Sequence, residues 1–347
     1  MGVCTLKTQV TRLEPVCSSW NSVFALAFVG RMPLFSMSYL TVFGSRWRFG
    51  WLLGAAYLFV SLTSFAPLLF PQDPPPATAP PDYFAPVIAN QKTNELFLDE
   101  YERTERIEKR RTASDPNPWN TTVIRMIPAG PGMGKLVLSV DGKPSDPAVY
   151  RSELEKFEQY LLWAGQDGPA QKDAYAKAEH KRKERFELIE ATHQAFLFTL
   201  EGKELRGDRT LLRYSMVPNP SYHATTRNTI LFGKVRGTIW VDAQSSELAK
   251  VEGSVTEDFT FALFLAKVYK GSHFMQERYE IAPGIWEPTF EQYDFDGRKF
   301  MVPFSIHERT FYTDYKHVGP PKQAADVIHA ELSKLAADPP PDSNKLR

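Results

Sequence analysis

Gly237-Thr-Ile-Trp-Val-Asp242, then Ala243-Gln-Ser-Ser-Glu247, then Leu248-Ala-Lys-Val-Glu-Gly-Ser-Val255 is the stretch on which the fold turns. β-branched and aromatic residues fill the outer segments and polar residues fill the middle, so it reads as strand, turn, strand. The same pattern continues outward. Upstream, Phe196, Phe198 and Leu200 alternate before a predicted turn at Glu201-Gly202, and Leu212, Tyr214 and Met216 alternate up to Pro218-Asn219-Pro220. Downstream, strands are predicted over 274–281, 286–295 and 298–315, with Asp296-Gly297 as the turn joining the last two. Further upstream, 121–127 and 135–140 form a hairpin across Pro and Gly, followed by a tight turn at Asp141-Gly142. Successive strands with short turns and no crossover helices make an antiparallel meander.

Helices stand beside these strands, which makes the class α+β. One is predicted over 84–98, and 99–112 either continues it or forms a charged edge strand. Asp146 before Pro147 is a helix-start signal, and Leu154, Phe157, Leu161 and Leu162 follow at helical spacing. Residues 170–193, rich in Lys, Arg and Glu, read as a helix with a solvated face, and 322–336 as a short amphipathic helix.

The chain has 347 residues with 41 basic and 41 acidic side chains, a balance that argues against gripping nucleic acid by charge alone. Lys7, Arg12, Arg31, Arg46 and Arg48 against Glu14 make residues 1–66 slightly basic, which leaves the rest mildly acidic. Hydrophobic content of 43% is enough for a packed core. Both cysteines, Cys4 and Cys17, lie in the leader, so no disulfide framework holds the body.

Residues 49–70 carry no charge and follow Arg46 and Arg48, the pattern of a secretory signal or a signal anchor. Cleavage after Ala66 and retention as an anchor both stay open, since Ser64 and Ala66 suit a cleavage site and Pro67 does not. Residues 71–82 are rich in proline and form an extended spacer. The expected organisation is a leader over 1–70, a linker over 71–82, a domain over 83–318, and a short helix with a loose tail over 319–347. The expected location is extracytoplasmic: soluble in the periplasm after cleavage, or held at the inner membrane through 49–70.

No catalytic constellation emerges. Gly130-Pro-Gly132-Met-Gly134-Lys135 has three residues where a phosphate loop needs four, and Leu136 where it needs Ser or Thr. Asp294-Phe-Asp296-Gly297 lacks the further ligands of a calcium loop, and Glu257-Asp258 reads as a strand-end turn. The seven histidines form no metal motif, and no nucleophile elbow occurs. The expectation is a non-enzymatic protein with no cofactor and no metal.

The unusual feature is the aromatic load on the strands. Phe198, Tyr214, Trp240, Phe261, Trp286, Phe290, Phe300 and Phe304 are the candidate lining of an apolar cavity, with ordinary core packing as the alternative.

Gly237-x-Ile239-Trp240-Val241-Asp242, its polar turn and Lys250-Val251-Glu252 resemble the signature hairpin of the LolA/LolB-like superfamily, envelope proteins of outer-membrane lipoprotein sorting. The resemblance extends over about 190–318, through Lys270-Gly271-Ser272, Trp286-Glu-Pro288 and Gly297-Arg298, and is to uncharacterised long-chain members. It implies a strongly curved antiparallel sheet, an incomplete β-barrel, with helices packed on the concave side and a cavity for acyl chains. The expected ligand is a lipid or lipoprotein acyl moiety, with no nucleic acid. The alternative is an envelope signalling or scaffold protein that binds a protein partner through the same fold.

Overall fold

The computed structural model describes residues 81–226, 229–261, 266–300 and 302–337. The predicted leader, with the stretch expected to be either cleaved or kept as an anchor, most of the spacer and the extreme tail lie outside the described residues. A 3-10 turn over Pro81–Phe84 leads into helix α1, Ala85–Leu98. Helices α2, Pro147–Ala164, and α3, Pro169–Ala195, follow three long strands, and α4, Pro321–Ala337, closes the described chain. The strands are β1 (Tyr101–Arg110), β2 (Asn120–Pro128), β3 (Met133–Val140), β4 (Lys143–Pro144), β5 (Phe196–Arg206), β6 (Arg209–Pro218) and β7 (Val235–Asp242). They continue with β8 (Leu248–Val255), β9 (Phe259–Phe261), β10 (Ala266–Val268), β11 (His273–Ala282), β12 (Ile285–Lys299) and β13 (Val302–His317).

All thirteen strands join one sheet in the order β4-β3-β2-β1-β13-β12-β11-β8-β7-β6-β5, with β10 and β9 attached to β12. Every pairing is antiparallel. The two ends of the order do not pair, so the curved sheet is a half-barrel rather than a closed one.

Strand alternation sorts the side chains into two faces. On the concave face, Phe196, Phe198, Tyr214, Met216, Ile239, Val241, Val251, Phe274, Tyr293 and Phe295 form the main core with Phe84 and Val87 from the α1 end and Leu188 and Ile189 from α3. Only the C-terminal half of the charged helix α3 meets this core. Its outer half carries exposed pairs such as Lys177–Asp173 and His180–Glu184, as expected of a solvated face.

A second core joins α2 and α4 to β2 and β3 through Ile127, Leu136, Leu154, Phe157, Leu161, Ala325 and Ile328. The pairings Arg103↔Met126 and Thr104↔Arg125 put Arg125 on the side opposite Arg103. Arg125 bonds Glu331 of α4 and Tyr150 of α2, so this helix pair covers the other face of the sheet at the β2–β3 end. The folded body therefore runs through Ala337, and α4 is part of it. Asp146 caps α2, accepting from the amides of Ala148 and Val149, as its place before Pro147 predicts.

Several local expectations are corrected. Residues 99–112 resolve as strand β1, but as an inner strand between β2 and β13 rather than an edge. Glu201-Gly202 is not a turn. The pairing steps from Leu200↔Tyr214 to Gly202↔Arg213, a bulge at Glu201, and the chain reverses after Arg206 at Gly207, whose φ is +65°. Asp296-Gly297 is not a turn either. Gly297 lies inside β12, where an added Cβ would fall 2.3 Å from the Lys267 carbonyl oxygen and 2.7 Å from the Phe304 ring. Its glycine serves close approach. The reversal comes three residues later, between Lys299 and Val302, which pair directly.

Candidate functional site

The concave face divides into an apolar half and a polar half, and α1 lies across both. Over the apolar half, the ring of Phe84 stacks on Phe198 at 4.2 Å between centroids and meets Tyr214 edge-on at 5.2 Å. Val87 and Ile88, one helical turn on, stand over Met216, Ile239 and Leu248. The cleft left between α1, α3 and the sheet is almost wholly apolar, and its free volume is only about 30 Å3.

Beyond this cleft the inward positions change character. Phe274 and Tyr293 are followed, two residues along each strand, by Gln276 and Glu291, and Arg278 comes next on β11. Gln276 Nε2 donates to Glu291 Oε1 at 2.7 Å, and the Tyr312 hydroxyl donates to Glu291 Oε2 at 2.7 Å. Arg103 Nε donates to Glu105 at 2.9 Å. The C-terminal half of α1 caps this seam with amides and a carboxylate. Gln91 accepts from Arg278, and Asn94 Nδ2 donates to Glu247 at 2.9 Å. The Trp286 amide donates to Asn94 Oδ1 at 3.2 Å, and Arg185 of α3 donates to Glu95 at 2.7 Å.

The seam is not saturated. Both carboxylate oxygens of Glu287, Oε1 of Glu95, Nε2 of Gln91 and Oε1 of Gln276 are buried without a hydrogen-bond partner among the described residues. Burial without full compensation favours the neutral acid. Burial pushes the Glu287 carboxyl up to about 8, against the pull of Arg278. It pushes Glu95 up to about 7 against Arg185 and Arg278, and Glu247 up to about 7 against its hydrogen bond from Asn94. The phenol of Tyr315 is likewise raised by burial.

The hairpin that decides the fold reading also holds α1. Asp242 accepts from the amides of Gln244 and Ser245 and from the Ser245 hydroxyl, which shapes the turn. Burial works against this carboxylate, but those donors hold it below the usual range. The turn's carbonyls, Ser245 and Ser246, accept from Asn90 of α1, and Glu247 accepts from Asn94. Gly237 lets β8 close in, since a Cβ there would fall 2.0 Å from the Glu252 carbonyl oxygen.

The candidate aromatic residues are not brought together. Phe198 and Tyr214 lie in the concave core under Phe84, and Phe304 packs at its margin. Trp240 and Trp286 do not line the cavity. They pack with Leu211 and Ala249 on the opposite face, because Ile239 and Val241 take the inward positions beside Trp240. There Arg209 stands 4.9 Å from the Trp286 ring and Lys250 4.7 Å from the Trp240 ring. Phe290 meets Phe311 at 5.1 Å, and its neighbour Glu291 is the inward residue. Phe300 is exposed at a hairpin tip. The Phe261 side chain lies outside the described residues.

The polar seam is what the sequence reading missed. Its signal was the parity of Phe274, Gln276 and Arg278, an inward register that turns from apolar to charged within one strand. Among the described residues no group of three or more His, Cys, Asp or Glu could hold a metal, and no helix is long and apolar enough to cross a membrane. No family model, curated protein or solved structure matches this chain.

Proposed function

We propose that this is a non-enzymatic, extracytoplasmic binding protein for an amphiphile with an acyl chain, a lipid or the lipid moiety of a lipoprotein. The observation that carries the reading is the two-part concave face. An apolar floor of Phe198, Met216, Ile239 and Leu248 adjoins a buried polar seam containing Arg103, Arg278 and Glu287. A chain would lie along the first part and a polar head would meet the second. The resemblance of the Trp240 hairpin to LolA/LolB-like proteins supports the same reading.

A void of about 30 Å3 holds no acyl chain, so on this reading a chain would have to take the place that Phe84, Val87 and Ile88 now fill. Ligand entry requires α1 to leave. Its contacts with the seam are polar and incompletely satisfied, which weakens its hold relative to an apolar helix. A buried chain gains roughly 0.8 kcal/mol per methylene, or on the order of 12 kcal/mol gross for sixteen carbons before ordering costs.

The test is mass spectrometry of an organic extract from the fragment 81–337, purified without detergent from a cell envelope. A stoichiometric lipid supports the proposal. A lipid-free protein that also takes up no added fatty acid refutes it and leaves the scaffold reading.

A further inference from the structure

Among the described residues, the polar seam buries five carboxyls, Glu95, Glu105, Glu247, Glu287 and Glu291, against three guanidiniums, Arg103, Arg185 and Arg278. Four of the carboxyls have donors. Glu105 accepts from Arg103, Glu95 from Arg185, Glu247 from Asn94, and Glu291 from Gln276 and the Tyr312 hydroxyl. Glu287 is 0% exposed, and neither of its oxygens has a hydrogen-bond partner. Arg278 and Arg103 act on it through charge, but they donate to Gln91 and to Glu105. A buried carboxyl left without a partner costs stability, so packing does not account for its place.

Glu95 Oε1, on α1, is also without a partner. The residues just before the two carboxyls, Asn94 and Trp286, are hydrogen-bonded at 3.2 Å, which brings Glu95 and Glu287 to the same α1–β12 contact. Three unused acceptor oxygens therefore meet where negative groups outnumber positive ones. Their complement is a cation with three N–H donors, which is a primary ammonium. Burial raises both carboxyls, and a bound ammonium would let both ionise. A metal ion does not fit, since no group of three or more His, Cys, Asp or Glu among the described residues could hold one. A quaternary ammonium has no N–H to give and is held by aromatic faces instead.

We propose that the seam receives a primary ammonium between Glu287 and Glu95, so that the amphiphile is one with an ethanolamine-type head. This rests on the acyl-binding reading and names the head group that the reading leaves open.

The experiment loads the full chain with a fluorescent fatty acid and displaces it with lysophospholipids of one chain length, kept below their micelle concentrations. The heads are ethanolamine, choline, glycerol and N-acetylated ethanolamine, and the phosphate is common to all. Glu287→Gln, which keeps the shape and removes the charge, is titrated beside the parent. Binding through residues 1–80 is common to both proteins and cancels in the comparison. In the parent, the ethanolamine lipid should displace the probe at a concentration roughly tenfold or more below the other three. In Glu287→Gln the four should converge. Equal displacement by the four lipids in the parent overturns the proposal and leaves the acyl-binding reading standing, as does an undiminished ethanolamine preference in a folded Glu287→Gln protein. Full potency of the N-acetylated lipid, a comparison that leaves the protein unaltered, overturns it too. A parent that takes up no probe refutes the acyl-binding reading and the proposal with it.

Discussion

Glu287→Gln should flatten the pH dependence of stability. Glu287 is buried with neither carboxylate oxygen hydrogen-bonded, and its carboxyl is raised from 4.5 to about 8. Below pH 4.5 both the folded and the unfolded chain hold this proton, so the group makes no difference. Between 4.5 and about 8 the unfolded chain releases it and the folded chain keeps it. The folded state then binds more protons, and stability falls as pH rises, by up to roughly 1.4 kcal/mol per pH unit for this one group. Above about 8 both states are ionised and the slope ends. Glu95 and Glu247, raised to about 7, act in the same direction over a narrower window. Urea unfolding of the fragment 81–337 at pH steps from 5 to 9 measures this. The parent should be more stable at pH 5 than at pH 8, by on the order of a few kcal/mol. The variant should lose about one proton's worth of slope between pH 5 and 7.5 and keep the remainder. A flat parent profile, or equal slopes in parent and variant, would refute the claim that Glu287 is a protonated buried acid.

Other outcomes follow from the packing. Trp286→Ala should cost about 3–5 kcal/mol in thermal or urea unfolding, the price of a core aromatic, because only 1% of this residue is exposed. Phe300→Ser should lower the melting temperature less than Trp286→Ala does, since 56% of Phe300 is exposed. Gly297→Ala should destabilise by about 1–3 kcal/mol, because the Lys267 carbonyl leaves no room for a methyl, and urea midpoints would show it. Ending the chain at Val318 should remove the partner of α2 and lower the melting temperature sharply, so an unchanged melt would show that α4 is dispensable.

The sheet was legible because strand alternation is a local property. Phe196, Phe198, Tyr214 and Met216 repeat every second residue, and the Trp240 hairpin carries its own turn. The helix cap at Asp146 was equally local. What escaped was long-range. Asp296-Gly297 has turn composition, but the glycine answers to Lys267 and Phe304, residues that only the folded sheet brings near. The inward or outward sense of Trp240 and Trp286 depends on which neighbours meet α1, and alternation alone leaves that sign open. The polar seam was hidden for a related reason. Glu95 and Glu287 look like surface residues in sequence, and only the docking of α1 on β12 buries them.

Saturable binding of a fluorescent fatty acid to the fragment 81–337 tests the central claim most directly. The account predicts one site per chain, tighter binding in Asn94→Ala, which loosens α1 at Glu247 and Trp286, and loss of binding in Met216→Trp, which fills the cleft floor while the protein stays folded. Absence of saturable uptake in both the parent and Asn94→Ala, or equal uptake by a folded Met216→Trp protein, would contradict it.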